Sequence, residues 1–223
     1  MAREYLEAIL VAVALALFLR TFVVQAFSIP TGSMENTLLA GDFLLANKIV
    51  FGARIPFTDV RLPGFRNPEP GDIVIFEYPK NPARDFIKRV VAGPGQEVEI
   101  RDKILYVDGK RTVDPPLSKY TDPVILPASS PGGIRDNMRL SRVPDGHYFV
   151  MGDNRDNSED SRYWSFLDKR RIRAQANIIY WSWAPDPGAP AFENILSIPR
   201  MAVYNLIHGF GRARWSRIGR IVR

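Results

Sequence analysis

Apolar residues fill one end of the chain and are then scattered in short runs, which predicts two kinds of structure. From 8 to 19 no side chain is polar, and from 8 to 27 only Arg20, Thr21 and Gln25 interrupt the run. At ~1.5 Å per residue such a helix reaches the roughly 30 Å of a hydrocarbon core, with Arg20 near one end where its stem can snorkel. The pattern fits a retained membrane anchor over 1–26, a secretory signal cleaved after Val24-Gln25-Ala26, or a buried core helix. Arg3 is offset by Glu4 and Glu7, and Arg20 stands on the far flank, so charge does not orient the segment.

Beyond this run the apolar stretches are short, rich in Val, Ile, Phe and Tyr, and punctuated by Gly, Pro and Asp, which is the chemistry of strands. Strands are expected at 43–50, 72–78, 86–92, 97–101, 104–107, 147–151 and 174–183, with a turn at Asp108-Gly109. Proline-rich stretches 55–70 and 112–145 read as loops or an irregular insertion. The expected architecture is mostly β: an antiparallel-sheet domain behind the N-terminal apolar segment, which is a single transmembrane helix if it is a retained anchor. It divides into that N-terminal segment (1–26), a β core in two parts (27–108 and 145–184), a short irregular insertion between them (109–144), and a basic tail (185–223). Trp215, Ile218 and Val222 fall at helical spacing among five arginines from 212 to 223, which predicts an amphipathic segment lying on lipid headgroups or a solvated tail.

Composition narrows the chemistry. With 223 residues, 46% hydrophobic and 24% charged, the chain suits one domain with attachments and not a polytopic membrane protein. It has no cysteine, which excludes disulfides, thiol nucleophiles and thiolate metal sites. The net charge of +6 suits an anionic surface. Nucleic acid fits poorly, because no recognition motif accompanies the arginines.

Two histidines, His147 at the start of an expected strand and His208 in the tail, are poor parts for a Ser-His-Asp triad. No HExxH occurs, and the acidic stretch from Asp153 fails as an EF-hand, with Arg155, Ser158 and Trp164 at its third, sixth and twelfth positions. No metal or cofactor is implied. Serine with lysine remains. Ile29-Pro30-Thr31-Gly32-Ser33 leaves the apolar run with a hydroxyl behind a stiff proline and a permissive glycine, although the same wording also makes an ordinary turn. In 86–92 period-two alternation sets Lys88 on the face of Phe86 and Val90 and sends Arg89 to the other. Burial there would lower the lysine toward the range of a general base, whereas at an exposed edge it would only snorkel.

In series, the blocks FSIPTGSMENTLLAGDFLLANK (27–48), GDIVIFEYP (71–79), DFIKRVVAGPGQEVEI (85–100) and MGDNRDNSEDSRYWSF (151–166) resemble type I signal peptidases, membrane-anchored serine proteases that remove signal sequences from exported proteins. The resemblance implies Ser33 as nucleophile, Lys88 as general base, and Thr31 with the Ser33 amide as oxyanion hole. It implies that Ser158 orients the lysine, with Asp160, Arg162 and Asp153 as a charged scaffold behind it and Gly152 and Asn154 shaping the turn. Phe27, Ile29, Pro30, Met34, Leu38, Leu44, Ile75, Phe86 and Ile87 would line shallow apolar pockets for small residues at the first and third positions before the cut. Thr31 stands where many relatives have Ser, and Asn36 where a proline is common, so the turn after the nucleophile is expected to be less preorganised.

By the same resemblance the anchor is retained, in a bacterial inner (plasma) membrane, with the catalytic domain on the outer side. The implied partners are signal-peptide-bearing preproteins and the lipid bilayer, the enzyme acting as a monomer. An autoproteolytic Ser/Lys repressor would need a DNA-binding domain where this chain has an apolar helix. The reading from another class is a non-catalytic, membrane-tethered β-rich binding or assembly factor.

Overall fold

The computed structural model describes residues 2–56, 58, 60–190 and 194–222. Helix α1 (Ala2–Phe18) closes in a wider π turn over Leu19–Val23. The apolar stretch of Arg3–Val23 is unburied, with Leu10, Leu15 and Phe18 each more than half exposed, and the span meets the rest of the chain at its C-terminal end, where Lys48 N donates to Val23 O at 2.9 Å. The buried-core alternative therefore falls. An unpartnered apolar helix of 21 residues has the length and surface of a membrane anchor.

The apolar run does not stay helical to residue 27. Val24 turns extended at φ −134°, ψ 150°, and β1 (Val24–Ser28) pairs antiparallel with β2 (Asp42–Asn47), from Val24 opposite Asn47 to Ser28 opposite Phe43. β2 stops at Asn47, not at 50, because the Asn47 Oδ1 accepts the Ile49 amide at 2.9 Å and bends the chain.

The remaining strands are β3 (Ile73–Tyr78), β4 (Asn81–Ala92), β5 (Glu97–Arg101), β6 (Ile104–Val107), β7 (Lys110–Arg111), β8 (Met138–Arg142), β9 (His147–Met151), β10 (Leu167–Asp168) and β11 (Ile172–Ser182). They form a seven-stranded sheet ordered β1-β2-β11-β3-β4-β9-β10 and a four-stranded sheet ordered β7-β6-β5-β8, all pairs antiparallel. The larger sheet is packed on both faces: Ile73 and Ile75 join one apolar cluster with Met34, Leu38, Leu44 and Ile179, while Val74 and Phe76 join another with Val90, Val150 and Leu167. Strands buried on both faces lose their alternation, so β3 reads as a solid apolar run. A third cluster, with Val98, Leu105 and Phe149, joins the two sheets.

Three elements depart from expectation. β4 begins five residues before 86, and its first five residues, from Asn81 to Asp85, are exposed. β8 lies inside the stretch expected to be irregular. The tail holds helix α3 (Ile198–Arg212), after which the chain returns along β11 instead of forming the helix that its spacing predicts. β3 pairs with β11 only as far as Gln175, and the returning segment takes the edge beyond: Ile179 N donates to Arg220 O at 3.0 Å and Gly219 N to Ile179 O at 2.8 Å. Arg217 is buried rather than turned to lipid. It holds Asp42 by Nε at 3.0 Å and Nη2 at 2.5 Å, and donates to Thr37 O at 3.0 Å.

Candidate active site

The loop between β1 and β2 carries Ser33 and is closed at its base, where Ile29 N donates to Asp42 O and Gly41 N to Ile29 O, each at 2.9 Å. Pro30 and Thr31 are exposed, Ser33 is half-buried, and the next residue, Met34, is fully buried, so the hydroxyl sits where the chain dives into the core. Asn36 adopts φ 77°, a conformation closed to proline, whose ring fixes φ near about −65°. Asparagine there makes a different turn rather than a looser one.

β4 brings the lysine. Lys88 is opposite Val74 on β3 and only 3% exposed, and its Nζ donates to Ser33 Oγ at 2.7 Å. Among the described residues no carboxylate approaches Nζ within 4 Å, and its other close neighbour is the Phe86 ring at 5.2 Å. Burial pulls Lys88 down to about 8, against the opposing pull of Asp160, Glu159 and Asp153 at longer range.

Arg89, the next residue, is opposite Met151 on β9. Two residues beyond Met151 lies Asp153, and the pair is bidentate: Nε to Oδ1 at 2.8 Å and Nη2 to Oδ2 at 2.7 Å. Thr37 donates a third bond to Asp153 at 2.5 Å. Both charges are buried, and each is compensated by the other.

The segment from Gly152 folds over the serine. Asn154 N donates to Ser33 O at 3.1 Å, and its Nδ2 to Gly32 O at 3.1 Å, so one side chain and its own amide clamp both carbonyls beside the Ser33 hydroxyl. Among the described residues the Ser33 amide and the Thr31 hydroxyl make no hydrogen bond, which leaves both available as donors. A Cβ at Gly152 would sit 2.2 Å from Ser158 Oγ and 2.5 Å from Ser33 O, so only glycine leaves room here for the Ser158 side chain and the Ser33 carbonyl. Ser158 Oγ is buried and makes no hydrogen bond among the described residues. Asp160 caps the short helix α2 (Ser161–Trp164), takes Arg162 Nε at 2.9 Å and Nη2 at 2.8 Å, and accepts from Gly152 N at 3.1 Å. Burial pushes its carboxyl up, but Arg162 and these bonds outweigh that and hold it below the usual carboxylate range.

Phe27, Ile29, Pro30, Thr31, Ser33, Ile75, Phe86, Ile87 and Lys88 line one cavity of about 490 Å³. Met34, Leu38 and Leu44 do not reach it. They are fully buried in the cluster beneath, where they support the loop. Sequence reasoning missed Glu159, Asn157, Arg84 and Asp85 in this wall. Glu159 also accepts a hydrogen bond from the Tyr78 hydroxyl, and the Tyr78 ring stacks on Phe86 at 4.1 Å. The only sign of these residues in the sequence is adjacency to the lysine and to Ser158.

The profile of the family described as "Signal peptidase, peptidase S26" matches residues 2–181. The chain is 35% identical to Signal peptidase I of Pseudomonas aeruginosa, covering 92% of this chain and 79% of that protein. It is 31% identical to Signal peptidase I of Aquifex aeolicus, covering 99% and 98%. A crystal structure of a signal peptidase I from Enterococcus faecalis aligns with a TM-score of 0.37 at 31% identity, covering 49% of this chain and 97% of that one.

Proposed function

The chain belongs to the signal peptidase family, peptidase S26, and is a serine endopeptidase; from that premise we propose that it removes signal peptides from exported preproteins with a Ser33/Lys88 dyad. The observation that carries the dyad is the 2.7 Å contact between Lys88 Nζ and Ser33 Oγ in a slot that lowers the amine to about 8. A useful fraction of the amine is then neutral near pH 7, which an ordinary lysine cannot supply.

The neutral amine takes the Ser33 proton as Oγ attacks the scissile carbonyl. The Ser33 amide and Thr31 hydroxyl donate to the oxyanion, and the Lys88 ammonium then protonates the departing amine of the mature protein. Water, deprotonated by Lys88, attacks the Ser33 ester, and the collapse returns the proton to Oγ and frees the signal peptide. Ser158 orients the amine when substrate tightens the site, Asn154 and Gly152 hold the loop, and Asp153 and the Asp160–Arg162 pair brace it. The apolar wall formed by Phe27, Ile29, Ile75, Phe86 and Ile87 accepts small residues at the first and third positions before the cut by excluding bulk.

The segment Arg3–Val23 spans a bacterial plasma membrane, with the N-terminus inside and the catalytic domain outside, and the enzyme acts as a monomer. Retention of the anchor is supported by β1: cleavage after Ala26 would remove three residues registered against β2, Val24, Gln25 and Ala26. Tethering holds Ser33 near the bilayer, where a cleavage site emerges attached to its own apolar helix.

The test is processing of a purified preprotein by the full-length enzyme in detergent, with mass spectrometry of the product and of the enzyme's own N-terminus. A product cut after a small residue, absent with Ser33→Ala and with Lys88→Ala, is the expected result. Unchanged processing in either variant overturns the dyad. No processing by the wild type across several preproteins favours a tethered binding factor.

A further inference from the structure

At the foot of the anchor, away from Ser33, lies a cavity of about 400 Å³ whose wall includes Thr21 and Gln25, at the exit of the apolar helix. Its charge is one-sided: Lys48, Arg54, Arg61, Arg170 and Arg173 face it, and among the described lining residues Glu77 is the one acid. Glu77 is shared by Arg54 at 3.3 Å and Arg173 at 3.2 Å, and Arg173 and Arg170 also pair with Asp85 and Asp168.

Lys48 and Arg61 are held differently. Among the described residues they bond only backbone carbonyls: Lys48 Nζ reaches Arg20 O at 3.0 Å and Thr21 O at 3.2 Å, and Arg61 reaches Gly52 O at 2.6 Å and Ile172 O at 2.5 Å. Burial, with the cations Arg173 and Arg20, pulls Lys48 down, and burial with Arg54 does the same to Arg61. Two half-buried cations gathered at one spot, with no carboxylate of their own among the described residues, favour the approach of an external anion.

We propose that this cavity binds the phosphodiester of an anionic glycerophospholipid in the leaflet where the anchor ends. The phosphate would meet Lys48 and Arg61 inside and Arg54 and Arg173 at the rim, while the acyl chains run along the apolar helix beside Thr21. Such a lipid would fix the height and tilt of the catalytic domain against the bilayer, since Arg173 comes from β11 and Lys48, Arg54 and Arg61 from the segment between β2 and β3, beside the exit of the apolar helix. The site rests on the reading of Arg3–Val23 as a retained membrane span, but not on the Ser33/Lys88 assignment.

The test uses the full-length protein in neutral detergent, with native mass spectrometry reading the retention of dioleoyl-phosphatidylglycerol against dioleoyl-phosphatidylcholine. Lys48→Gln/Arg61→Gln is expected to weaken retention of the anionic lipid by about tenfold or more. Lys110→Gln/Arg111→Gln removes the same charge from exposed β7 and should leave retention unchanged. If the first variant fails to fold, Arg54→Gln/Arg173→Gln at the rim must give the same loss. Equal retention in the cavity variant and the β7 variant, or equal retention of the two lipids, overturns the site. Displacement of the lipid by millimolar inorganic phosphate assigns the cavity to free phosphate and overturns the lipid proposal. Preprotein processing in lipid-free detergent, measured on the same samples, is expected to survive in the cavity variants, so failure of the lipid site is separable from failure of the protease reading.

Discussion

Lys88 and Arg89 are consecutive residues of one strand, both cationic and both buried, and the fold treats them in opposite ways. Arg89 receives a carboxylate in bidentate geometry and is locked as a charge. Lys88 receives a serine hydroxyl and an aromatic ring and is left without a bonded counter-ion. Burial with a partner makes a structural ion pair, whereas burial without one leaves an amine suited to the role of base proposed for Lys88. Guanidinium suits the first because it stays protonated in any protein environment, and an amine suits the second because desolvation can neutralise it. The acids Asp153, Asp160 and Glu159 act on Lys88 through space and keep the shift from going further.

The largest effect should come from removing either member of the dyad. Ser33→Ala and Lys88→Ala are each expected to lower kcat/KM for a preprotein by about 10⁴-fold or more, with the double variant no worse than the singles, because the two act as a unit.

The two cations separate next on stability. Arg89→Met leaves the Asp153 carboxylate buried with the Thr37 hydroxyl as its one remaining hydrogen-bond partner among the described residues, and should cost about 3–5 kcal/mol in denaturant unfolding. Lys88→Met removes a cation penalised by burial and should hold or raise stability at pH 7. The pH dependence follows the same sign. Below about pH 8 Lys88 is protonated in folded and unfolded chains alike, and the burial penalty is present in full. Between about 8 and 10.5 the unfolded chain holds a proton that the folded chain has released, so the Lys88 contribution makes stability rise with pH, and Lys88→Met should abolish that rise.

Gly152→Ala tests the spacing of the two serines rather than any charge. Its methyl group would collide with Ser158 and the Ser33 carbonyl, and a displacement of about 1 Å costs about 10²-fold in kcat with little change in the far-ultraviolet circular dichroism. The smallest effect is electrostatic. Glu159→Gln removes a negative charge that raises Lys88, so the acid limb of the kcat/KM profile should move to lower pH, while Lys110→Gln on distant β7 leaves it in place.

The same contrast explains what could be read from the sequence. Ser33 and Lys88 stand in local settings that carry their own signal, a stiffened glycine turn and an apolar alternation, and the family wording joins them. Their supports are less legible because they depend on register: Asp153 reaches Arg89 only because β9 ends opposite it, and Arg217 reaches Asp42 only because β3 leaves the upper edge of β11 open. β1 is hidden because Val24 and Phe27 continue an apolar run that began in the helix, and the polar residues at the switch, Arg20, Thr21 and Gln25, fit the end of a membrane helix as well as the start of a strand. The beginning of β4 is hidden for the opposite reason, since a run of exposed residues on one strand reads as a loop. In the tail, Trp215 and Ile218 satisfy a helical spacing by coincidence, while the helix that forms ends at Arg212.

The measurement closest to the central claim is the titration of the Lys88 amine itself, in full-length enzyme carrying carbon-13 at the lysine side chains, with Lys88→Met to assign the resonance. The expected midpoint for Lys88 is near 8, well below the reference value of about 10.4 for a lysine side chain. A Lys88 midpoint at that reference value would show that burial on this strand does not make a base, and the distinction between Lys88 and Arg89 would lose its meaning.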